Sequence, residues 1–133
     1  QRREFVRVPV VLDAQIACNP TAPDAATDEW VTVVAGDISG GGVSLFIWNK
    51  DAPMWLANGR RICVALPIGP DGSTVKVMGQ VVRLEKPEEG PSDGVNVGVR
   101  FMEISEGERR VIIRFVFDRQ RELIRKSAQR SDD

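Results

Sequence analysis

The chain has 133 residues, which is long enough for one domain with a hydrophobic core and too short for two ordinary domains. Its composition, 42% hydrophobic and 28% charged with a formal net charge of -1, is typical of a soluble globular protein and excludes a disordered chain. There is no histidine, and the two cysteines do not have the spacing of metal ligands, so histidine-dependent triads and the usual zinc sites are excluded.

The sequence also bears on cellular location. No apolar run approaches the roughly 18 residues needed to span a bilayer, and the chain opens with charged residues rather than a signal peptide. We therefore expect a cytoplasmic protein with no membrane span. Cys18 and Cys63 each lie in an apolar strand pattern, which favours two free buried thiols over a disulfide.

The first predicted element is a strand over residues 6–18, where the even positions are apolar. These are Val6, Val8, Val10, Leu12, Ala14, Ile16 and Cys18. This alternation places one face of the strand in a core. Pro9 cannot donate to a ladder, so this part of the strand is expected to be an edge or to carry a bulge. The composition of residues 19–29 predicts a solvated loop.

A glycine-rich turn follows a second predicted strand at residues 30–35 and precedes a third at residues 43–47. Its sequence is Asp37-Ile38-Ser39-Gly40-Gly41-Gly42. Glycines permit positive φ angles and allow a ligand to approach the main chain, whose free N–H groups suit an anion. Asp37 and Ser39 lie two residues apart and face the same side of the sheet, which suits a base edge. Taken alone, such a link is more often an ordinary hairpin.

Three further strands complete the predicted sheet. The segment 48–59 breaks the pattern, and its large apolar side chains, Trp48, Met54, Trp55 and Leu56, are expected to cover the open end of a barrel rather than to face a partner. Strands at residues 61–66 and 74–84 are joined by a turn that contains Pro-Asp-Gly. After a polar loop at residues 86–93, a sixth strand has alternating apolar residues up to Phe101, with Gly98 on the opposite face.

The chain ends in a predicted helix. Ser105 and Glu108 form a capping-box pattern, and apolar residues recur at spacings of three and four as far as Ile124, before a polar tail at residues 127–133. Ile113 and Phe117 widen the apolar face, which leaves surface for a neighbouring chain, but packing of the helix across the end of the barrel is favoured over a weak homodimer. We therefore predict a mainly β protein, a small six-stranded antiparallel β-barrel with a C-terminal α-helix. Its expected parts are an arm (1–8), the barrel (9–103) and the helix (105–127).

The start of the chain, Gln1-Arg2-Arg3-Glu4-Phe5-Val6-Arg7, places three guanidinium groups just before the first strand. Together with the glycine turn, this arm resembles the PilZ domain. That family is marked by an RxxxR arm, matched by Arg3 and Arg7, and by a later [D/N]xSxxG turn, matched by Asp37, Ser39 and Gly42. The resemblance covers nearly the whole chain, up to about the start of the last helix.

The resemblance implies a receptor for cyclic di-GMP, a bacterial second messenger made of two guanosines closed into a ring by two phosphates. The sequence has no histidine, no paired carboxylates at useful spacing and no reactive cysteine context, so we expect neither enzymatic activity nor a cofactor. The implied ligand-binding residues are Arg2, Arg3, Arg7, Asp37, Ser39, Gly41, Gly42 and Gly98, with Gln1, Val8, Gly40, Arg83 and Arg100 as weaker candidates. Gly98 and Phe101 fit a glycine and a phenylalanine that recur in the family, and the glycine would leave room for a base. An arginine at the position of Arg2 implies two stacked ligand molecules per chain.

The candidate residues have the chemistry that this ligand requires. Arginine forks onto guanine O6 and N7, a pairing that contributes roughly 1 to 3 kcal/mol of discrimination, and it also clamps phosphate. Asp37 accepts from guanine N–H donors. A nucleic-acid-binding barrel is the alternative class, but it would have an aromatic platform and wider basic charge, whereas this chain has no tyrosine and a pI near 5.6. No DNA partner is expected.

The arm looks most like the PilZ half of flagellar brake proteins, in which a barrel domain precedes it. This likeness implies control of flagellar motility through motor proteins. Control of exopolysaccharide synthesis, through a polysaccharide synthase, is the alternative output.

Overall fold

The computed structural model describes residues 6–18, 30–87 and 93–131. Six antiparallel strands close into a barrel in the order β1-β2-β3-β6-β5-β4, and one helix follows. The elements are β1 (Arg7–Cys18), β2 (Val31–Ser39), β3 (Gly42–Trp48), β4 (Arg61–Leu66), β5 (Val75–Glu85), β6 (Gly94–Phe101) and α1 (Glu106–Ser131). The predicted mainly β fold, a six-stranded antiparallel barrel with a C-terminal helix, is confirmed.

The alternation of apolar residues builds the core. In β3, for example, Val43, Leu45 and Ile47 point inward and are at most 4% exposed. Among the described residues, no polar or charged side chain is buried in this core. Burial of each such aliphatic side chain contributes about 1.5 to 3 kcal/mol relative to its exposure, so the barrel is held together mainly by its interior.

The first half of β1 has the irregularity that Pro9 predicts. The register of β1 against β2 shifts between Pro9 and Leu12, and Val11 within this bulge is 84% exposed. Only the last third of β1, from Gln15 onward, pairs with β4 as well. Pro9 therefore lies where the strand has a single neighbour and carries a bulge. β1 begins at Arg7, so Arg7 and Val8 belong to this strand as well as to the predicted arm.

The glycine turn is shorter than its sequence suggests. β2 continues to Ser39, because its pairing with β3 resumes at Asp37 after a register shift at Gly36. Only Gly40 and Gly41 connect the two strands. The turn does not use the positive φ angles that its glycines permit, because the described glycines with positive φ are Gly59 and Gly72.

The helix begins as its sequence predicts and ends later. The Glu108 backbone N–H donates to Ser105 Oγ over 3.1 Å, and the Ser105 N–H donates to Glu108 Oε1 over 2.9 Å, which is the reciprocal capping box. α1 packs on β1 and β2 through Ile112 and Val116, which are buried. It continues to Ser131, past the expected fraying at residue 127, because the Ser-Ala-Gln-Arg sequence there contains good helix formers.

The predicted cover at the end of the barrel is partly wrong. Trp55 and Leu56 pack against the core as expected, but Met54 is fully exposed and Trp48 is 40% exposed. Strand alternation explains Trp48, since it shares the outer face of β3 with Phe46 and contacts that ring edge-on at 5.0 Å between centroids.

The remaining expectations concern thiols and membrane contact. Cys18 and Cys63 are free, and both are half-buried rather than buried. Burial raises the pKa of the Cys63 thiol above its ordinary 9.0. In the part of the chain that the structure describes, no helix has both the length and the apolar content to cross a bilayer.

Candidate functional site

An open cavity of about 250 Å³ lies on the outside of the barrel, where the start of β1 and the β2–β3 hairpin face β5 and β6. The candidate residues that line it are Arg7, Asp37, Ser39, Gly41, Gly42, Arg83, Gly98 and Arg100. These residues come from five strands and one turn, and the closed sheet brings them together. We call this cavity the motif cavity.

Two of the described candidates do not line the motif cavity. Val8 is 2% exposed and points into the core, because the alternation of β1 turns it inward. Gly40 is buried and its carbonyl group faces α1. Gln1, Arg2 and Arg3 lie outside the described residues.

The two sequence motifs meet in an ion pair. Arg7 lies opposite Ser39 in the β1–β2 register, and its Nε is 3.4 Å from Oδ1 of Asp37. The side chains are 42% and 28% exposed. An ion pair this accessible contributes at most about 1 kcal/mol, so both groups are able to exchange partners for those of a ligand at small cost.

The hydroxyl group of Ser39 organises the turn. It accepts a hydrogen bond from the Gly41 N–H over 3.1 Å and lies 3.5 Å from the Gly42 carbonyl oxygen, which is a weak contact at best. Ser39 is half-buried at the cavity wall, and its oxygen has a second lone pair. The hydroxyl is therefore held in place by the main chain while remaining able to contact a bound molecule.

Gly42 is required by a close approach of backbone and not by its φ angle. A Cβ atom built on Gly42 would lie 2.3 Å from the carbonyl oxygen of Val99 in β6. Gly42 pairs with Arg100 in the β3–β6 register, so this contact is part of the sheet and cannot be relieved by rotating a side chain. The third motif residue thus allows β3 and β6 to close the floor of the motif cavity.

Gly98 has a similar role toward Arg83. A Cβ atom built on Gly98 would lie 3.2 Å from Cβ and 3.3 Å from Cζ of Arg83. The guanidinium group lies over the glycine, with Nε 3.0 Å from Oε1 of Glu85. In this structure the arginine therefore occupies the space that the sequence analysis reserves for a base, and its planar group offers a stacking surface there.

Val82 is a cavity residue that the sequence analysis missed. β5 carries a bulge between Val81 and Arg83 in its pairing with β6, and Val82 in this bulge is 52% exposed at the cavity. The sequence carries a signal for this bulge, because the successive valines Val81 and Val82 break the alternation of β5. The other lining residues missed are Val43, Ser44 and Val99.

Arg100 is held at the edge of the cavity by a short relay. Its Nη2 donates to Gln80 Oε1 over 3.3 Å, and Gln80 Nε2 donates to the Gly59 carbonyl oxygen over 3.3 Å. Arg100 is exposed and has no ion pair with any residue that the structure describes. The motif cavity thus combines three guanidinium groups, one carboxylate, two hydroxyl groups and three valines, which is a set suited to an anionic ligand with flat polar rings.

Comparison with solved structures finds the same fold in proteins of low sequence identity. The Bacillus subtilis inhibitor of motility MotI/DgrA has a TM-score of 0.71 at 19% identity, over 92% of this chain and 52% of its own. The PilZ domain of YcgR from Escherichia coli, solved with c-di-GMP, has a TM-score of 0.70 at 20% identity, over 96% of this chain and 98% of its own. The PilZ domain of CeSA from a cellulose-synthesizing bacterium has a TM-score of 0.57 at 18% identity, over 85% of this chain and 96% of its own.

This chain spans about half the length of two such relatives, since it covers 52% of MotI and 50% of the YcgR chain solved in complex with c-di-GMP. Comparison of the sequence with curated proteins finds no match. The sequence model of the PilZ domain family matches residues 1–118, which include both motifs and all six strands. The chain therefore belongs to the PilZ domain family.

Proposed function

We propose that this protein is a cytoplasmic receptor for cyclic di-GMP and that it acts by binding, without catalysis. The observation that carries the proposal is the convergence of Arg7 with Asp37, Ser39 and Gly42 at the motif cavity. Two motifs that lie about 30 residues apart in the sequence thereby form one site. The YcgR PilZ domain, which has this fold, was solved with c-di-GMP.

Each group of the motif cavity has a defined use in this proposal. Asp37 accepts hydrogen bonds from the N–H donors of a guanine edge, which adenine does not present in the same pattern. Arg7 leaves its exposed ion pair to bind guanine or phosphate oxygens. Arg83 stacks on a base through its guanidinium plane, and Val82 provides an apolar contact beside it.

The arm supplies the remaining cations in the proposal. Arg3 precedes Arg7 by four residues, so the chain holds their Cα atoms within about 14 Å even at full extension. Two stacked ligand molecules would bring four phosphate charges. Arg2 and Arg3, together with Arg7, Arg83 and Arg100, would offset them, and we therefore propose two molecules per chain.

The proposed output is control of flagellar motility. Closure of the arm over the ligand would change the surface that the barrel presents to a preceding barrel domain or to flagellar motor proteins. The supporting observation is the likeness to YcgR and to the motility inhibitor MotI. Regulation of a polysaccharide synthase is the second candidate, favoured by the likeness to the CeSA PilZ domain. In either case the protein is a monomer or a weak homodimer.

Calorimetric titration of site variants tests the receptor function. Arg7→Ala and Asp37→Asn are expected to weaken cyclic di-GMP binding by about 30-fold or more, because each removes a charged partner of a desolvated ligand group. Arg61→Ala is the matched control, since Arg61 is an exposed arginine paired with Glu103 and does not line the motif cavity. Equal affinity of the Arg7→Ala and Arg61→Ala variants would contradict the proposed site.

The same titration measures the number of ligands. We expect two molecules per unaltered chain and a fall toward one in Arg2→Ala. A saturated value of one for the unaltered chain, or two for Arg2→Ala with unchanged affinity, would refute the role of Arg2.

A further inference from the structure

The side chain of Arg109 links helix α1 to the glycine turn. Nη1 of Arg109 donates to the carbonyl oxygen of Gly40 over 2.9 Å, across 69 residues of sequence. Gly40 is buried, and Arg109 is half-buried in the first turns of the helix. A hydrogen bond from a charged donor in such a setting is stronger than one between neutral groups.

The peptide group that Arg109 holds is linked directly to a cavity residue. In a trans peptide the N–H points opposite to the C=O, so fixing the Gly40 carbonyl toward α1 aims the Gly41 N–H away from the helix. That N–H donates to Ser39 Oγ over 3.1 Å. One peptide group thus connects the guanidinium of Arg109 to the hydroxyl of Ser39.

The next peptide group is held independently. The backbone N–H of Phe101 in β6 donates to the Gly41 carbonyl oxygen over 2.9 Å. The turn is therefore fixed by the sheet at Gly41 and by the helix at Gly40. Glycines have the largest conformational freedom of any residue, so a Gly40-Gly41 turn without these restraints would sample many peptide orientations.

We propose that Arg109 is a positioning residue for ligand binding, which acts through the Gly40–Gly41 peptide to hold Ser39 Oγ toward the motif cavity. Arg109 does not itself line this cavity in the described part of the chain, so its effect is indirect. The proposal rests on the proposed function, and it makes the helix part of the binding machinery. Without Arg109, binding must order the turn, and that ordering costs affinity.

The test compares Arg109→Ala with Arg110→Ala. Arg110 is the next residue of the helix, is exposed, and forms no ion pair with the described residues, so it matches the change in charge and in helix propensity. Calorimetry with cyclic di-GMP is expected to show about tenfold weaker binding for Arg109→Ala and unchanged binding for Arg110→Ala. Arg109→Lys, which retains a cationic donor, is expected to recover part of the loss.

A second readout uses the free proteins. In ¹H–¹⁵N spectra, Arg109→Ala is expected to shift the Gly41 amide resonance and to speed its exchange with solvent, whereas Arg110→Ala leaves both unchanged. If Arg109→Ala folds poorly, Arg109→Lys and Arg109→Gln provide the same comparison, with the larger loss expected for the neutral side chain.

The outcomes separate the two claims. Failure of the unaltered protein to bind cyclic di-GMP would refute the proposed function and this inference with it. Binding by the unaltered protein, with equal affinity for Arg109→Ala and Arg110→Ala, would refute the role of Arg109 and leave the receptor function standing. A loss of affinity in both Arg109→Ala and Arg110→Ala, without any change at the Gly41 amide, would also refute the positioning role.

Discussion

Substitution of Gly42 by alanine is predicted to destabilise the barrel, because the added methyl group meets backbone. The built Cβ lies 2.3 Å from the Val99 carbonyl oxygen and 3.4 Å from Cα of Arg100. The first distance must grow by about 1 Å to reach ordinary van der Waals contact. Since both atoms belong to paired strands, β3 must move away from β6 at this point.

The cost follows from what such a movement breaks. Overpacking of a fitted interior costs about 1 to 3 kcal/mol, and loss of the neighbouring Phe101 N–H to Gly41 carbonyl hydrogen bond adds about 1 kcal/mol. Alanine restricts the unfolded chain more than glycine does, and this effect stabilises the folded state by about 0.4 to 1 kcal/mol, which offsets part of the loss. The expected net loss is about 2 kcal/mol, or a fall of about 8 °C in Tm for a chain of this size.

Thermal and urea unfolding of Gly42→Ala and Gly36→Ala test this reasoning. Gly36 is the matched control because it also lies in the hairpin, while a Cβ built on it has no neighbour within 4 Å. Its substitution is expected to leave Tm unchanged or slightly raised. Equal Tm values for the two variants would show that β3 and β6 do not approach as closely as described.

Two further predictions concern the cavity ion pair and the Cys63 thiol. Arg7→Ala should lower the free energy of unfolding by less than about 1 kcal/mol in urea melts, since its ion pair with Asp37 is accessible to solvent; a loss above about 2 kcal/mol would give Arg7 a structural role instead. Because burial raises the pKa of Cys63 above 9.0, the unfolded chain releases this proton first, and stability should fall as pH rises above about 9. Cys63→Ala should remove that part of the pH dependence, and an identical profile in the variant would contradict the burial argument.

The sequence alone predicts the fold well because each strand repeats a local pattern. The even positions of β1 and the inward residues of β3 need only the period of two, and the capping box at Ser105 is defined within four residues. The family resemblance predicts that Arg7 and Asp37 lie at one site, and in the structure Nε of Arg7 is 3.4 Å from Oδ1 of Asp37.

Features that depend on pairing between distant strands were beyond the sequence. The bulge at Gly36 shifts the register of β2 relative to β3, so the predicted β2 is too short. The bulge at Val82 is different, because the two successive valines of β5 are a local signal of it. The need for glycine at position 42 arises from Val99, and the bond from Arg109 to Gly40 joins segments 69 residues apart. Neither contact leaves a local trace in the sequence.

The central claim is recognition of guanine in a cyclic dinucleotide, and calorimetry with two ligands tests it most directly. Cyclic di-AMP has the same ring of two phosphates and riboses but presents adenine edges. Discrimination by Asp37 and the arginines at two guanine edges, at roughly 1 to 3 kcal/mol each, predicts at least about 30-fold tighter binding of cyclic di-GMP by the unaltered protein. Equal affinity for the two ligands, or no binding of cyclic di-GMP, would contradict the account.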